Sequence, residues 1–214
     1  MLVNHQERRP IVELLYFLEI GERLAHKCAT AQAAMAPTSK MRQFLEGQAK
    51  QEAFHAKIFQ TAGRWIAPRY RNRPTTLQPF EEYTTLLMDT LNRKDFYESL
   101  LAEQVILESL GEAILSKIED GLQKRHAPFR RLRKILLYQE AAHHGFGERV
   151  LEQAMANDSL TKEELNEKAA PYLELSHAMV LGLKDLFEEI EEDPWEYLAI
   201  QQQYLPQWLV TTTP

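Results

Sequence analysis

The sequence predicts an all-α protein, a four-helix bundle with accessory helices, in a single domain spanning 1–214. Three observations carry this. Glycine is scarce, at 8 residues of 214, and the 10 prolines fall at intervals, as in a helical chain punctuated by breaks. No stretch shows the alternation of apolar and polar residues that marks a half-buried strand. Four stretches of roughly twenty to thirty residues keep a helical apolar period, and helices of that length suit a bundle.

The elements follow in order. Pro10 suits a first helical position, so the first bundle helix is expected over about 10–36, ended by Pro37. Thr38 or Ser39 can cap the second, over 38–66. "APRYRNRPTTLQP" then reads as a loop, because it holds three prolines. Arg64, Arg69, Arg71 and Arg73 make this region basic, either as a solvated run or as a surface for an acidic carrier or headgroup. An accessory helix is expected over 80–91, with a break near Asn92. The third bundle helix covers 95–123, "KRHAPF" ends it, and Pro128 opens the fourth, over 128–156. "NDSLTKEEL" is a turn in which Thr161 and Glu164 have the spacing of a capping box. Accessory helices occupy 160–205. Pro171 is expected to start one that ends in the acidic run "EEIEED", and Pro194 to start a last short one.

Composition narrows the function. Lys and Arg number 25 against 31 Asp and Glu, a net charge of −6, which disfavours general nucleic-acid binding. Cys28 is the single cysteine, so a disulfide framework, a zinc ribbon or a thiolate iron site cannot be built within the chain. Glu13 and Glu19 interrupt the apolar run near the start, which reads as neither a signal peptide nor a membrane span. A cytoplasmic protein is expected.

The apolar faces carry the chemistry. At 100° per residue, the first-helix face centred on Glu22 bears Ile11, Leu15, Leu18, Ala25, Ala29 and Ala33. The second is centred on Glu52, among Met41, Leu45, Phe59 and Ile66, with His55 at its edge. The third has Glu108 among Tyr97, Leu101, Val105, Leu115 and Leu122. The fourth has Glu140 among Phe129, Leu136, Leu137, Leu151 and Ala154, with His143 at its edge. Burying one unpaired carboxylate costs several kcal/mol or shifts its pKa, and four together repel. Two divalent cations balance four carboxylates, and the histidines add neutral nitrogen ligands. One Glu from each of two helices and a Glu-x-x-His from each of the other two is the ligand set of a carboxylate di-metal bundle. The expected metal ligands are therefore Glu22, Glu52, His55, Glu108, Glu140 and His143. The 30 residues from Glu22 to Glu52 and the 32 from Glu108 to Glu140 place both pairs at mid-bundle.

Other residues compete or assist. Glu19 sits about 60° off its stripe with Arg23 one turn on, and Glu103 is expected to point away from its own. Glu112 lies one turn after Glu108 and is an alternative or additional ligand. His26, Gln48, Gln104 and His144 lie near these faces, either as hydrogen-bonding support or as ordinary satisfied polar residues. Gly63, Gly111 and Gly147 either leave room for dioxygen or a substrate or allow close helix packing.

With these residues in place, the sequence resembles the ferritin-like di-iron carboxylate superfamily, and within it the cyanobacterial aldehyde-deformylating oxygenases. Gly21, Glu22 and Pro37 stand where those enzymes have a glycine, the first ligand and the proline ending the helix. Glu52 and His55 are followed by Phe59, Gly63 and Arg64 in a Phe-x-x-x-Gly-Arg pattern, and Glu108 follows Gln104. The likeness spans most of the chain in architecture and is close only around the ligands. It departs where the family has an Asp before the last Glu and an aromatic within the last motif. Gln139, Ala141 and Ala142 stand there instead. The resemblance implies two iron ions (or manganese, or one of each), dioxygen, an external electron donor and a small hydrophobic substrate such as a fatty aldehyde. The alternatives are an iron-handling or peroxide-scavenging protein, as in ferritins and rubrerythrins, and a binding protein that keeps the metal for stability.

Overall fold

A computed structural model describes residues 5–70, 77–127 and 129–209. Among them the chain forms nine α-helices and one π-helical segment, and no strand. The order is α1 (Arg8–Met35), α2 (Ser39–Ile66), α3 (Gln78–Asn92), α4 (Phe96–Leu100), the π-helical segment Leu101–Leu107, α5 (Glu108–Lys124), α6 (Arg130–Ala156), α7 (Lys162–Gly182), α8 (Lys184–Glu189) and α9 (Pro194–Tyr204). No helix among these residues is long and apolar enough to cross a membrane.

Local chemistry explains most boundaries. The Thr38 hydroxyl accepts from the Met41 amide at 3.2 Å and starts α2. Asp95 does the same for Glu98 at 3.0 Å and starts α4. Thr161 and Glu164 form a reciprocal capping box that starts α7. Pro171 therefore does not start a helix. It lies inside α7, which is already nucleated ten residues earlier, and its ring costs that helix a backbone hydrogen bond. Pro10 is the third residue of α1, still in the turn where amides lack intrahelical acceptors. Pro128, Arg71 and Arg73 lie outside the described residues. Phe129, just before α6, has φ 63°, a left-handed conformation uncommon for an aromatic residue.

The bundle consists of α1 and α2, which form the most extensive helix pair, and the 96–124 rod with α6. Ala25, Ala29 and Ala33 of α1 and Ala49 and Ala56 of α2 are buried, and such small residues allow close approach. α3 and α7 pack on one another, and α9 covers α5. One apolar cluster runs from Leu14 through Leu45, Ile106 and Leu151 to Phe187.

The third bundle helix is not uniform. In its π-helical segment the hydrogen bonds span five residues, and the Glu108 amide donates to the Glu103 carbonyl. Just ahead of this segment Glu98 is anchored from three sides. Lys168 of α7 lies at 2.7 Å, Arg93 at 3.0 Å and the Thr90 hydroxyl at 2.7 Å. Against the segment itself, Gly147 of α6 passes so close that an added Cβ would lie 2.5 Å from Gln104 Cβ. Gly147 thus serves close packing, not an open space.

Candidate metal centre

Four elements deliver the six residues singled out by the sequence. Glu22 comes from α1, Glu52 and His55 from α2, Glu108 from the first residue of α5, and Glu140 and His143 from α6. All six are buried, with Glu52 and His55 at 0% exposure. They form two interlocked quartets. Glu22, Glu52, His55 and Glu140 each offer a ligand atom within 4.8 Å of the others. Glu52, Glu108, Glu140 and His143 do the same, so Glu52 and Glu140 belong to both.

Each imidazole turns Nδ1 toward the carboxylates. His55 Nδ1 lies 2.8 Å from Glu140 Oε1, 3.1 Å from Glu52 Oε2 and 3.5 Å from Glu22 Oε2. His143 Nδ1 lies 2.8 Å from Glu52 Oε1, 3.8 Å from Glu140 Oε2 and 3.9 Å from Glu108 Oε1. The opposite nitrogens are held crosswise. His55 Nε2–H donates to Gln139 Oε1 at 2.9 Å, and His143 Nε2–H to Gln51 Oε1 at 2.6 Å. An amide oxygen only accepts, so Nε2 carries a proton, and a ring that gives up its other proton presents a lone pair at Nδ1. Each glutamine immediately precedes the motif glutamate of the helix opposite.

The donor set fits metal ions. Glu52 Oε1, Glu140 Oε1 and His143 Nδ1 are buried and make no aligned hydrogen bond, although His143 Nδ1 and Glu52 Oε1 are only 2.8 Å apart. Carboxylate oxygens and an imidazole nitrogen that converge in the interior without aligned hydrogen bonds suit a cation between them. The mainly oxygen set suits iron or manganese better than copper.

No known family pattern matches the sequence, and no curated protein matches it. A solved structure does. It is a Synechococcus protein with aldehyde deformylating oxidase activity, 19% identical, with a TM-score of 0.80 over 95% of this chain and 89% of that one. This chain has the ferritin-like fold.

Within that ferritin-like bundle, electrostatics divides the carboxylates. Burial, then Glu140, pushes Glu22 well above the usual carboxylate range, and burial and Glu140 do the same to Glu108. Burial would also raise Glu52, yet the imidazoles of His143 and His55 hold it far below. Glu140 is pushed up by burial and Glu52 and is held down on balance by the same two rings. His143 is lowered by burial but raised on balance, to about 9, by Glu140 and Glu52. His55 is raised further still by Glu140, Glu22 and Glu52, against its burial. Without metal the site therefore holds its charge balance with protonated imidazoles.

The competing residues separate. Glu19 is buried but accepts from Arg23 at 2.8 Å and Gln60 at 2.9 Å, outside both quartets. Glu112 pairs with His144 at 3.1 Å, also outside them. His26 Nδ1 lies 2.7 Å from the Ala49 carbonyl and ties α1 to α2. Gln48 and Gln104 belong to a buried amide chain. Gln32 and Gln104 exchange hydrogen bonds, Gln104 donates to Gln48, and Gln48 Nε2 reaches Glu108 Oε1 at 3.2 Å.

Glu103 corrects the sequence reading. A uniform α-helix puts it about 140° from Glu108, facing away. In the π-helical turn residues five apart come toward the same face, and Glu103 is fully buried beside the site. Only the repeated "QEA" of residues 51–53 and 139–141 could have flagged Gln51 and Gln139, and nothing in the apolar periodicity flags Glu103 or Gln32.

Proposed function

We propose that this chain is a di-metal oxidoreductase, holding two iron ions or a manganese–iron pair, that uses dioxygen or peroxide to oxidise a hydrophobic organic substrate of the fatty-aldehyde or related lipid class. The observation that carries the reading is the pair of quartets sharing Glu52 and Glu140, one imidazole to each. Glu22 and His55 would hold one ion, Glu108 and His143 the other, and Glu52 and Glu140 would span both. Ions held by these residues would supply redox chemistry toward dioxygen or peroxide, with an external electron donor as co-reactant.

The chain's own residues set the conditions. Gln51 and Gln139 fix the imidazole tautomer, so neither ring must reorient to bind. The Gln48 amide donates to Glu108 and restrains its swing. Phe44, stacked on Phe146 at 4.1 Å and edge-on to His143 at 6.3 Å, keeps water from that side of the ring. Buried Cys28, Ala29, Ala49 and Ala56 make the α1–α2 interior small and apolar. An apolar chain gains about 0.8 kcal/mol for each methylene it buries.

The test is to titrate reduced, iron-loaded protein with fatty acids, alcohols and aldehydes of increasing length, following the metal spectrum, and then to admit oxygen. Affinity that climbs with chain length, and oxidised product, support the assignment. No length trend, with rapid iron oxidation into a ferric mineral, moves it to iron handling.

A further inference from the structure

We propose that Glu103 is a seventh ligand of the metal centre, a carboxylate reserved for the ion on the His143 side. The inference rests on the metal-binding reading above and extends it to a residue outside both quartets.

The π-helical turn is the first argument. Winding residues 101–107 with five-residue hydrogen bonds brings Glu103 into line with Glu108 at the start of α5. Such turns are uncommon, and a uniform α-helix would have left Glu103 on the opposite face. The second argument is what the side chain meets. Glu103 has 0% exposure and its Oε2 is buried without a hydrogen-bond partner. Its Oε1 shares one donor with Glu108: Gln48 Nε2 lies 3.5 Å from Glu103 Oε1 and 3.2 Å from Glu108 Oε1. Burial and then Glu52 push Glu103 above the usual carboxylate range, and the Glu108 carboxyl lies within hydrogen-bonding reach of it; Glu52, Glu108, Glu140 and His143, which all act on it, make up the His143 quartet.

Among the described residues no lysine or arginine forms an ion pair with Glu103, whereas Glu98 on the same rod has Lys168 and Arg93. A buried carboxylate without a cation is costly, and a glutamine or methionine would fill the same volume at lower cost. The neighbouring amides Gln32, Gln48 and Gln104 show that this interior satisfies neutral polar groups readily. An orphaned carboxylate oxygen beside a converging donor set is accounted for by a cation that it reaches.

The consequence is asymmetry. The His55-side ion would have Glu22 as its own carboxylate, whereas the His143-side ion would have both Glu108 and Glu103. Two ions of one element should then bind unequally, the His143 side first.

The test is titration with Mn(II) alone, with free Mn(II) read by electron paramagnetic resonance. The wild-type protein, Glu103→Gln and Glu103→Ala are compared, the last with and without added acetate. Two unequal steps are expected for the wild type. In Glu103→Gln the tighter step should weaken at least about tenfold while both ions still bind, the scale of a lost supporting group. In Glu103→Ala acetate should restore part of the loss, a result that a folding defect would not give. Unequal steps unchanged in both variants would overturn the proposal and leave the two-metal reading standing. Loss of both ions in Glu103→Gln, with no acetate rescue in Glu103→Ala, would overturn it too, by giving Glu103 a general structural role. A wild-type protein that binds no Mn(II) would overturn both readings.

Discussion

Replacing Gly147 by alanine should damage the protein at the contact that sets the distance between α6 and the π-helical turn. The new Cβ would lie 2.5 Å from Gln104 Cβ, 3.4 Å from Val105 Cγ2 and 3.5 Å from the Gln104 carbonyl carbon. Carbon atoms rest about 3.5–4.0 Å apart, so the closest pair must separate by roughly 1 Å. A Cβ and a backbone carbon cannot swing aside as the tip of a flexible side chain can. The strain therefore belongs near the upper end of the overpacking range, about 3 kcal/mol. Alanine returns about 1 kcal/mol over glycine within a helix, leaving a net loss of about 2 kcal/mol. In a chain of this size that lowers Tm by roughly 4–8 °C. Gly47→Ala in α2 is the control. Its Cβ meets nothing within 4 Å, so it should gain about 1 kcal/mol and raise Tm by roughly 2–4 °C. Because Gly147 lies one turn after His143, the displaced helix should also bind metal more weakly. The assay is calorimetry on metal-free protein, followed by metal titration. Equal Tm values for the two variants, with equal metal affinity, would refute the close-packing argument.

Glu52→Ala and Glu140→Ala should each abolish both metal equivalents, whereas Glu22→Ala and Glu108→Ala should each lose chiefly one, as read by metal analysis after dialysis. Glu19→Ala should keep both and cost about 1 kcal/mol through Arg23 and Gln60; an emptied site in this variant would place the first ligand one turn earlier. Gln51→Leu and Gln139→Leu should each weaken metal binding about 10–100-fold by releasing an imidazole, measured by competition with a chelator. Loading at a hundredfold excess over Kd should add about 2.7 kcal/mol per site, roughly 5–10 °C in Tm, and chelation should reverse it. His143 sets a pH dependence. Its folded pKa, about 9 without metal, exceeds its unfolded value near 6.5. Its contribution to metal-free stability is therefore complete below about pH 6.5 and is lost as pH rises through about 9. Metal affinity should climb over the same window as the ion displaces that proton, and flat denaturation midpoints from pH 6 to 10 would contradict this.

The bundle and the quartets were legible because a long uniform helix obeys one angular rule. Glu22, Glu52 and Glu140 stand in apolar stripes that 100° per residue places correctly, and two Glu-x-x-His spacings point at one level of the core. The rule fails where the helix is not uniform. The π-helical turn re-aims Glu103, and periodicity has no term for a widened turn fixed by packing against Gly147. Pro171 was misread because its ring suits a helix start, while the Thr161 capping box had already begun the helix. Gln51 and Gln139 were hidden because their partners lie 92 and 84 residues away on the facing helix. Glu19 is buried as its stripe is wider than a single line of residues, yet Arg23 and Gln60 claim it. The nearby glutamine chain needed Gln32, which lies far from every motif.

The measurement that bears most directly on the account is a crystal structure of iron- or manganese-loaded protein with anomalous diffraction at the metal edge. The account predicts two peaks per chain between Glu52 and Glu140, about 3–4 Å apart, one beside His55 and the other beside His143. One peak or none at that position, or peaks elsewhere with the two quartets empty, would contradict it.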